Sequence, residues 1–345
     1  MNCVRSLTAH GLRPTISCSG PTVLSRGLRL KAGDDGAARV RTIESMPFQT
    51  YQLALKVIRA DRLEKMEAVA YQRKKIADIV EREGDKVNHH RIKELTKHLE
   101  YLQIQADINN PRVKYNFDRG TINLNKPVYR FLANRKWREY RRPILMQRLT
   151  QLSVIPDVLP VLDPVVDVQL RFWGYDVPPG TILDSSKTEA PPTFKVIPFT
   201  TGKKLCTVVV VDSDVPNVAK DSFDYRLHWL VSNIVISPTQ TQAVGTGAQP
   251  SDTIVDWLPP HVQKGSPYHR YSVIVFEQEG KIDAEALKGK IIRDGFNTRN
   301  FQAKQKLKAI GAFLFRSEWD ENTAQIMQKH GLEGWDRMLV RVKDE

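Results

Sequence analysis

The texture of the chain changes once, near Ile155, and that change restricts the fold more than any other feature. Downstream of it, Pro156, Pro160, Pro164, Pro178, Pro179, Pro191 and Pro192 punctuate short β-prone runs. Proline fixes φ and removes a backbone donor, so it marks the ends of such runs. Val165–Phe172, Cys206–Val211, Leu230–Ile236 and Tyr271–Phe276 are predicted as strands. Short strands joined by long Pro- and Gly-bearing connections predict a mainly β fold, an antiparallel β-sandwich with Greek-key connections. Helical patterns return only near the end, at about Asp283–Leu287 and Asn322–Lys329, as a few peripheral helices.

Upstream the sequence is polar and helix-favouring. Ser45 is a candidate N-cap with Pro47 in the first turn, and the helix is predicted to run to Glu83, where Gly84 breaks it. Leu63, Met66, Ala70, Ala77 and Val80 recur at helical spacing and predict its apolar face. A second helix from about Val87 carries Ile92, Leu95, Leu99 and Leu102, and Asn109-Asn110-Pro111 stops it. Stripes this narrow bury little surface, so the α-helical extension is expected to need a partner to stay ordered.

The net charge of +13 is distributed unevenly. Residues 1–50 hold 7 basic and 3 acidic residues, residues 51–150 hold 23 and 12, and residues 151–345 hold 22 and 24. The excess therefore lies ahead of the sandwich, and four segments are expected: a presequence at 1–33, a basic arm at 34–150, the β-sandwich at 151–335 and a tail at 336–345. Met1 to Gly33 has no acidic residue and spreads Arg5, Arg13, Arg26, Arg29 and Lys31 among Ser, Thr and Leu, the composition of a mitochondrial import signal. Of the three cysteines, Cys3 and Cys18 would leave with that signal, and Cys206 alone can form neither an intramolecular disulfide nor a zinc site. No run approaches the roughly 18 apolar residues of a membrane helix, so stable membrane insertion is not expected.

Within the arm, Arg130, Arg135, Lys136, Trp137, Arg138, Tyr140, Arg141 and Arg142 combine cations with flat rings. Guanidinium groups pair with phosphates in a bidentate manner, and aromatic rings stack on unpaired bases, so this run is the candidate RNA-contact segment.

Three ordered motifs in the β-rich part resemble those of the phosphatidylethanolamine-binding protein family. Val211-Asp212-Ser213-Asp214-Val215-Pro216 is similar to its D-P-D-x-P motif, and His228-Trp229-Leu230-Val231-Ser232-Asn233-Ile234 to its H-W-x-V-x-N-I strand. Gly265-Ser266-Pro267-Tyr268-His269-Arg270-Tyr271 is similar to its G-x-x-x-H-R-Y motif. The resemblance spans about residues 151–335 and implies a small anion-binding pocket formed by Asp212, Asp214, His228, His269 and Tyr271. Departures are Ser213 in place of the usual Pro, a longer interval between Pro259-Pro260 and Gly265, and the added bulk of Trp257 and His261. These are expected to loosen the first turn and to alter the loop over the pocket.

Together with the import signal and the basic arm, the whole resembles a family member that serves in the large subunit of the mitochondrial ribosome. That resemblance implies a non-catalytic structural role without a cofactor. The arm would contact mitochondrial large-subunit rRNA and other mitochondrial ribosomal proteins, and the sandwich would lie at the subunit surface. The alternative is an anion- or phospholipid-binding, or inhibitory, module acting in mitochondria.

Overall fold

The computed structural model describes residues 43–84, 88–244 and 252–340. The expected import signal at 1–33 and residues 341–345 of the tail lie outside the described residues. The chain divides into two compact units, Met1–Ala54 and Leu55–Glu345. Of the first, the described part is a 3-10 turn at Ile43–Ser45 and the opening of helix α1 (Gln49–Glu83). The helix starts at Gln49 rather than after Ser45, because Phe48 sits at φ 59, in the left-handed region.

In the second unit α1 runs antiparallel to α2 (His89–Asp107). Arg62 donates to Asp107 at 2.8 Å, Gln72 to the Leu95 carbonyl at 3.4 Å, and Arg91 to Glu83 at 3.2 Å. Asn88 caps α2 by accepting from the His90 and Arg91 amides. On α2 the expected face is the one turned inward, but on α1 it is not. Arg62, Val69, Gln72, Ile76 and Ile79 line the packed side, while Leu63, Ala70, Ala77 and Val80 face out. The packed residues precede the expected ones by one position, a rotation of about 100°. Asn110, expected to end α2, also caps α3 (Pro111–Asp118) by accepting from the Arg112 amide. A small core of Val128, Tyr129 and Leu132 on α4 (Pro127–Lys136) meets Ile108, Val113 and Phe117.

α4 passes through a π-helical turn at Trp137–Arg141 directly into α5 (Arg142–Gln151). Pro143 explains the turn: its ring crowds the carbonyl four residues back, and the wider π geometry accommodates it with an Arg142 amide to Trp137 carbonyl bond. Leu145 and Leu149 of α5 are buried in the same hydrophobic cluster as the strands. The expected junction at 150/151 thus falls inside a helix packed onto the sandwich.

After α6 (Val154–Asp157), the strands are β1 (Val166–Phe172), β2 (Tyr175–Val177), β3 (Thr193–Pro198), β4 (Lys204–Asn217), β5 (Ser222–Ile236), β6 (Gln242–Val244), β7 (Thr253–Val255), β8 (His269–Gln278) and β9 (Lys308–Ser317). Between and after them lie the short helices α7 (Ser185–Thr188), α8 (Ala284–Leu287), α9 (Thr298–Lys304) and α10 (Thr323–Lys329). One sheet has the order β2-β1-β3-β6 and the other β7-β5-β4-β8-β9, with every pairing between them antiparallel. β4 and β8 are covered on both faces, which accounts for the unbroken apolar runs Val208–Val211 and Val273–Phe276. The sheets approach closely at Gly311, where an added Cβ would lie 2.8 Å from methyls of Val166 and Val168. The C-terminal segment is also held: the Leu339 amide donates to the Lys264 carbonyl at 2.8 Å. Gly265, at φ 88, faces the Leu339 carbonyl so closely that no larger residue fits.

Candidate functional site

The five residues implied by the motifs converge at one end of the second sheet. A register shift between Asp212 and Val215 bulges β4 and turns both carboxylates toward β8. Ser213 does not loosen this turn: Asp212 accepts from the Asp214 amide at 2.9 Å, an Asx turn that supplies the rigidity expected of proline. The other Asp212 oxygen accepts from His269 Nδ1 at 2.7 Å, and Ser266 Oγ lies 3.1 Å from His269 Nε2. Asp212, His269 and Ser266 thus form an Asp-His-Ser series. A nucleophile and base must reach a substrate, however, and His269 is fully buried, so the series serves to tie the 266–269 loop to the bulge.

Asp214 is gripped by Arg270, which donates through Nε at 2.8 Å and Nη2 at 2.6 Å while the Arg270 amide adds a third bond at 2.8 Å. The same guanidinium reaches the Leu152 carbonyl at 2.8 Å and Asp157 at 3.1 Å, joining the bulge to the start of the domain. The hydrogen bonds to Asp214 raise the Arg270 pKa further above its ordinary value. Arg270 stands in the G-x-x-x-H-R-Y motif, so the signal was present although no role was assigned to it.

The donors expected to meet an anion are engaged internally. Tyr271 donates its hydroxyl to the His261 carbonyl at 3.0 Å and accepts from the His261 amide at 3.1 Å. His228 Nδ1 lies 2.9 Å from the Leu258 carbonyl and donates to it, leaving its buried Nε2 without a partner among the described residues. The His261 ring sits over this group, 5.6 Å from that of His228, which in turn meets Tyr271 edge-on at 5.0 Å. His261 Nδ1 donates to the Pro259 carbonyl at 2.9 Å, and Nε2 accepts from Arg226 at 3.0 Å. Trp257 points away, donating to the Thr188 and Glu189 carbonyls. His228, His269 and Tyr271 are wholly buried, so the loop bearing His261 closes the expected pocket. Burial holds His228 well below the ordinary imidazole range and pushes His261 down to about 4, while burial, reinforced by Asp212, holds the Tyr271 phenol well above its usual value.

The His261 shift has a measurable consequence. Its folded pKa lies below the unfolded one, so stability is complete above about pH 6.5 and is lost as pH falls toward 4, by about 3 kcal/mol for this group. Urea midpoints measured from pH 7.5 to 4.5 should fall more steeply for the natural chain than for His261→Gln. Parallel pH profiles would show that His261 is not the group responsible.

The basic segment is divided by the fold. Arg130 is buried and bonds to the Leu124 and Asn125 carbonyls and to Glu100 at 3.0 Å. Trp137 is buried against Phe199, with ring centroids 5.3 Å apart. Neither is open to RNA. Arg141 pairs with Asp167 at 3.0 Å, and Arg142 with Asp163 at 2.6 Å, both toward the sandwich. Arg135, Lys136, Arg138 and Tyr140 remain exposed, with Arg135 loosely paired to Glu139 at 3.7 Å. Earlier residues join them. Residues 110–142 contain ten basic and two acidic residues, against twelve and ten in 51–109. Among the described residues, Arg112, Lys114, Arg119, Lys126, Lys136 and Arg138 face no carboxylate within ion-pair distance. No group of His, Cys, Asp and Glu among the described residues could hold a metal ion, and no described helix is long and apolar enough to cross a membrane.

Comparison with known proteins matches residues 173–331 to the family model "Phosphatidylethanolamine-binding protein". Large ribosomal subunit protein mL38 of Schizosaccharomyces pombe is 32% identical over 244 residues, covering 69% of this chain and 77% of the relative. The chain belongs to the phosphatidylethanolamine-binding protein family. Protein MOTHER of FT and TFL1 homolog 2 of Oryza sativa subsp. japonica is 28% identical over 156 residues, covering 45% of this chain and 82% of that protein. Among solved structures, a phosphatidylethanolamine-binding protein from Plasmodium vivax has a TM-score of 0.41 and 22% identity, covering 51% of this chain and 97% of that one. The rice match is short enough to fit within the sandwich; the mL38 match is not. Its 69% of 345 residues is about 238, whereas residues 151–345 number 195, so at least about 43 matched residues fall in the arm.

Proposed function

We propose that this phosphatidylethanolamine-binding-family chain is a structural protein of the mitochondrial large ribosomal subunit. Its sandwich would lie at the subunit surface and its arm would contact mitochondrial large-subunit rRNA and neighbouring ribosomal proteins. The observation that carries this reading is the reach of the mL38 similarity beyond the sandwich into the arm. The acid-free composition of residues 1–33 supports import into the matrix. Closure of the ring cluster removes the exposed donors that an anion-binding or inhibitory module would use.

The two parts of the arm have different partners in this reading. The α1–α2 hairpin is close to charge balance and presents Leu63, Ala70, Ala77 and Val80 outward, an apolar stripe suited to a protein neighbour. The segment from α3 to the π turn, with its unpaired cations, faces rRNA, whose closely spaced phosphates supply the missing anions. Tagged protein from mitochondria should sediment with assembled large subunits in moderate salt. Recovery only in fractions free of ribosomal RNA would overturn the proposal.

A further inference from the structure

A cleft of about 470 Å³ lies between α3 and α4, within the segment 110–142 that holds ten basic and two acidic residues. Its apolar lining comes from Ile108, Phe117 and Leu132, and Lys114 and Arg135 contribute cations to the same lining. Phe117 lines the cleft, and Lys136 places its ammonium over that ring, 5.9 Å from the centroid. Asp118 is the acidic residue of the lining, while Lys114 and Lys136 face no carboxylate within ion-pair distance among the described residues.

From this arrangement we infer that the α3–α4 cleft seats one unpaired nucleobase of RNA, stacked on Phe117, with the flanking phosphates held by Lys114 and Lys136. The inference rests on the RNA contact proposed above and specifies its chemistry. An apolar floor that includes an aromatic ring, with Lys114 and Arg135 in the same lining, matches a single-stranded nucleotide, which offers a π face and an anion on either side. A base-paired helix presents the phosphates but withholds the face. Lys136 is long and unpaired, so it can swing from the ring to the phosphate as the base enters.

The test titrates the full-length protein with a fluorescent single-stranded oligouridylate and with a blunt RNA duplex of equal phosphate number. Phe117→Leu preserves an apolar floor and removes the π face. It should weaken single-strand binding on the order of tenfold, the scale of one stacked base, and change duplex binding less than twofold. Phe117→Tyr, which keeps a π face, should retain the natural affinity. RNA binding by the natural chain that Phe117→Leu leaves unchanged, or weakens equally for both RNAs, would overturn the base seat and leave the RNA contact standing. Failure of the natural chain to bind either RNA would overturn both.

Discussion

Replacing Arg270 with Leu is expected to destabilise the folded chain by about 3–5 kcal/mol, the cost of stranding a partly buried carboxylate. The guanidinium has five donors, and four acceptors surround it: two Asp214 oxygens, the Leu152 carbonyl and Asp157. Asp157 is more than a third exposed and contributes little. The cost comes from Asp214, which is 14% exposed, and from the carbonyl, both left facing an aliphatic chain. Arg270→Lys should not restore the loss, because one ammonium cannot reproduce the fork that meets a carboxylate and a carbonyl together. The double variant with Asp214→Asn should be less destabilised than the sum of the singles, since removing the stranded charge relieves part of the penalty. Urea denaturation of the natural chain and the four variants, Asp214→Asn included, checks this. A single Arg270→Leu within about 1 kcal/mol of the natural chain would contradict the keystone role given to this side chain.

The same network shows what could be read before the fold was known. Motif order placed Asp212, Asp214, His228, His269 and Tyr271 together, and the structure brings them to one end of one sheet. Their state was less legible, because it depends on His261, whose neighbours Tyr271 and Arg226 lie ten or more residues away and on other strands. The strands were found where both faces are buried and the apolar run is continuous, as in Val208–Val211. β3, which alternates half-buried and buried residues, and β9, whose run is interrupted by Gly311, gave weaker signals. On α1 the packed face lies one residue from the expected one, because two of the expected positions, Ala70 and Ala77, carry only a methyl. Val69, Ile76 and Ile79 bury more surface per side chain and determine the packing. The aromatic-basic run was also read as one surface. A helix exposes only part of its circumference, and the π turn sends Trp137 inward while Arg138 and Tyr140 stay outside.

That division sets the second large expectation. Changing Lys114, Arg119, Lys136 and Arg138 together to Gln should lower affinity for RNA on the order of 100-fold at physiological salt and reduce the slope of log affinity against log salt by about 3. These four cations have no carboxylate within ion-pair distance among the described residues, so neutralising them breaks no ion pair there, and the thermal midpoint should hardly move. Arg141→Gln with Arg142→Gln should do the reverse. Their carboxylate partners lie on the sandwich side, and Asp167 is nearly buried, so the loss should appear in stability, with the salt slope largely preserved. A purely electrostatic attraction spread over the whole arm predicts equal effects per charge from the two sets. Equal slopes for the quadruple and double variants would therefore reject a localised RNA face. A loss of four charges that lowers the slope while Arg141 and Arg142 variants leave it unchanged would place RNA contact on α3, α4 and the π turn, and give Arg141 and Arg142 the separate task of fixing that surface to the sandwich.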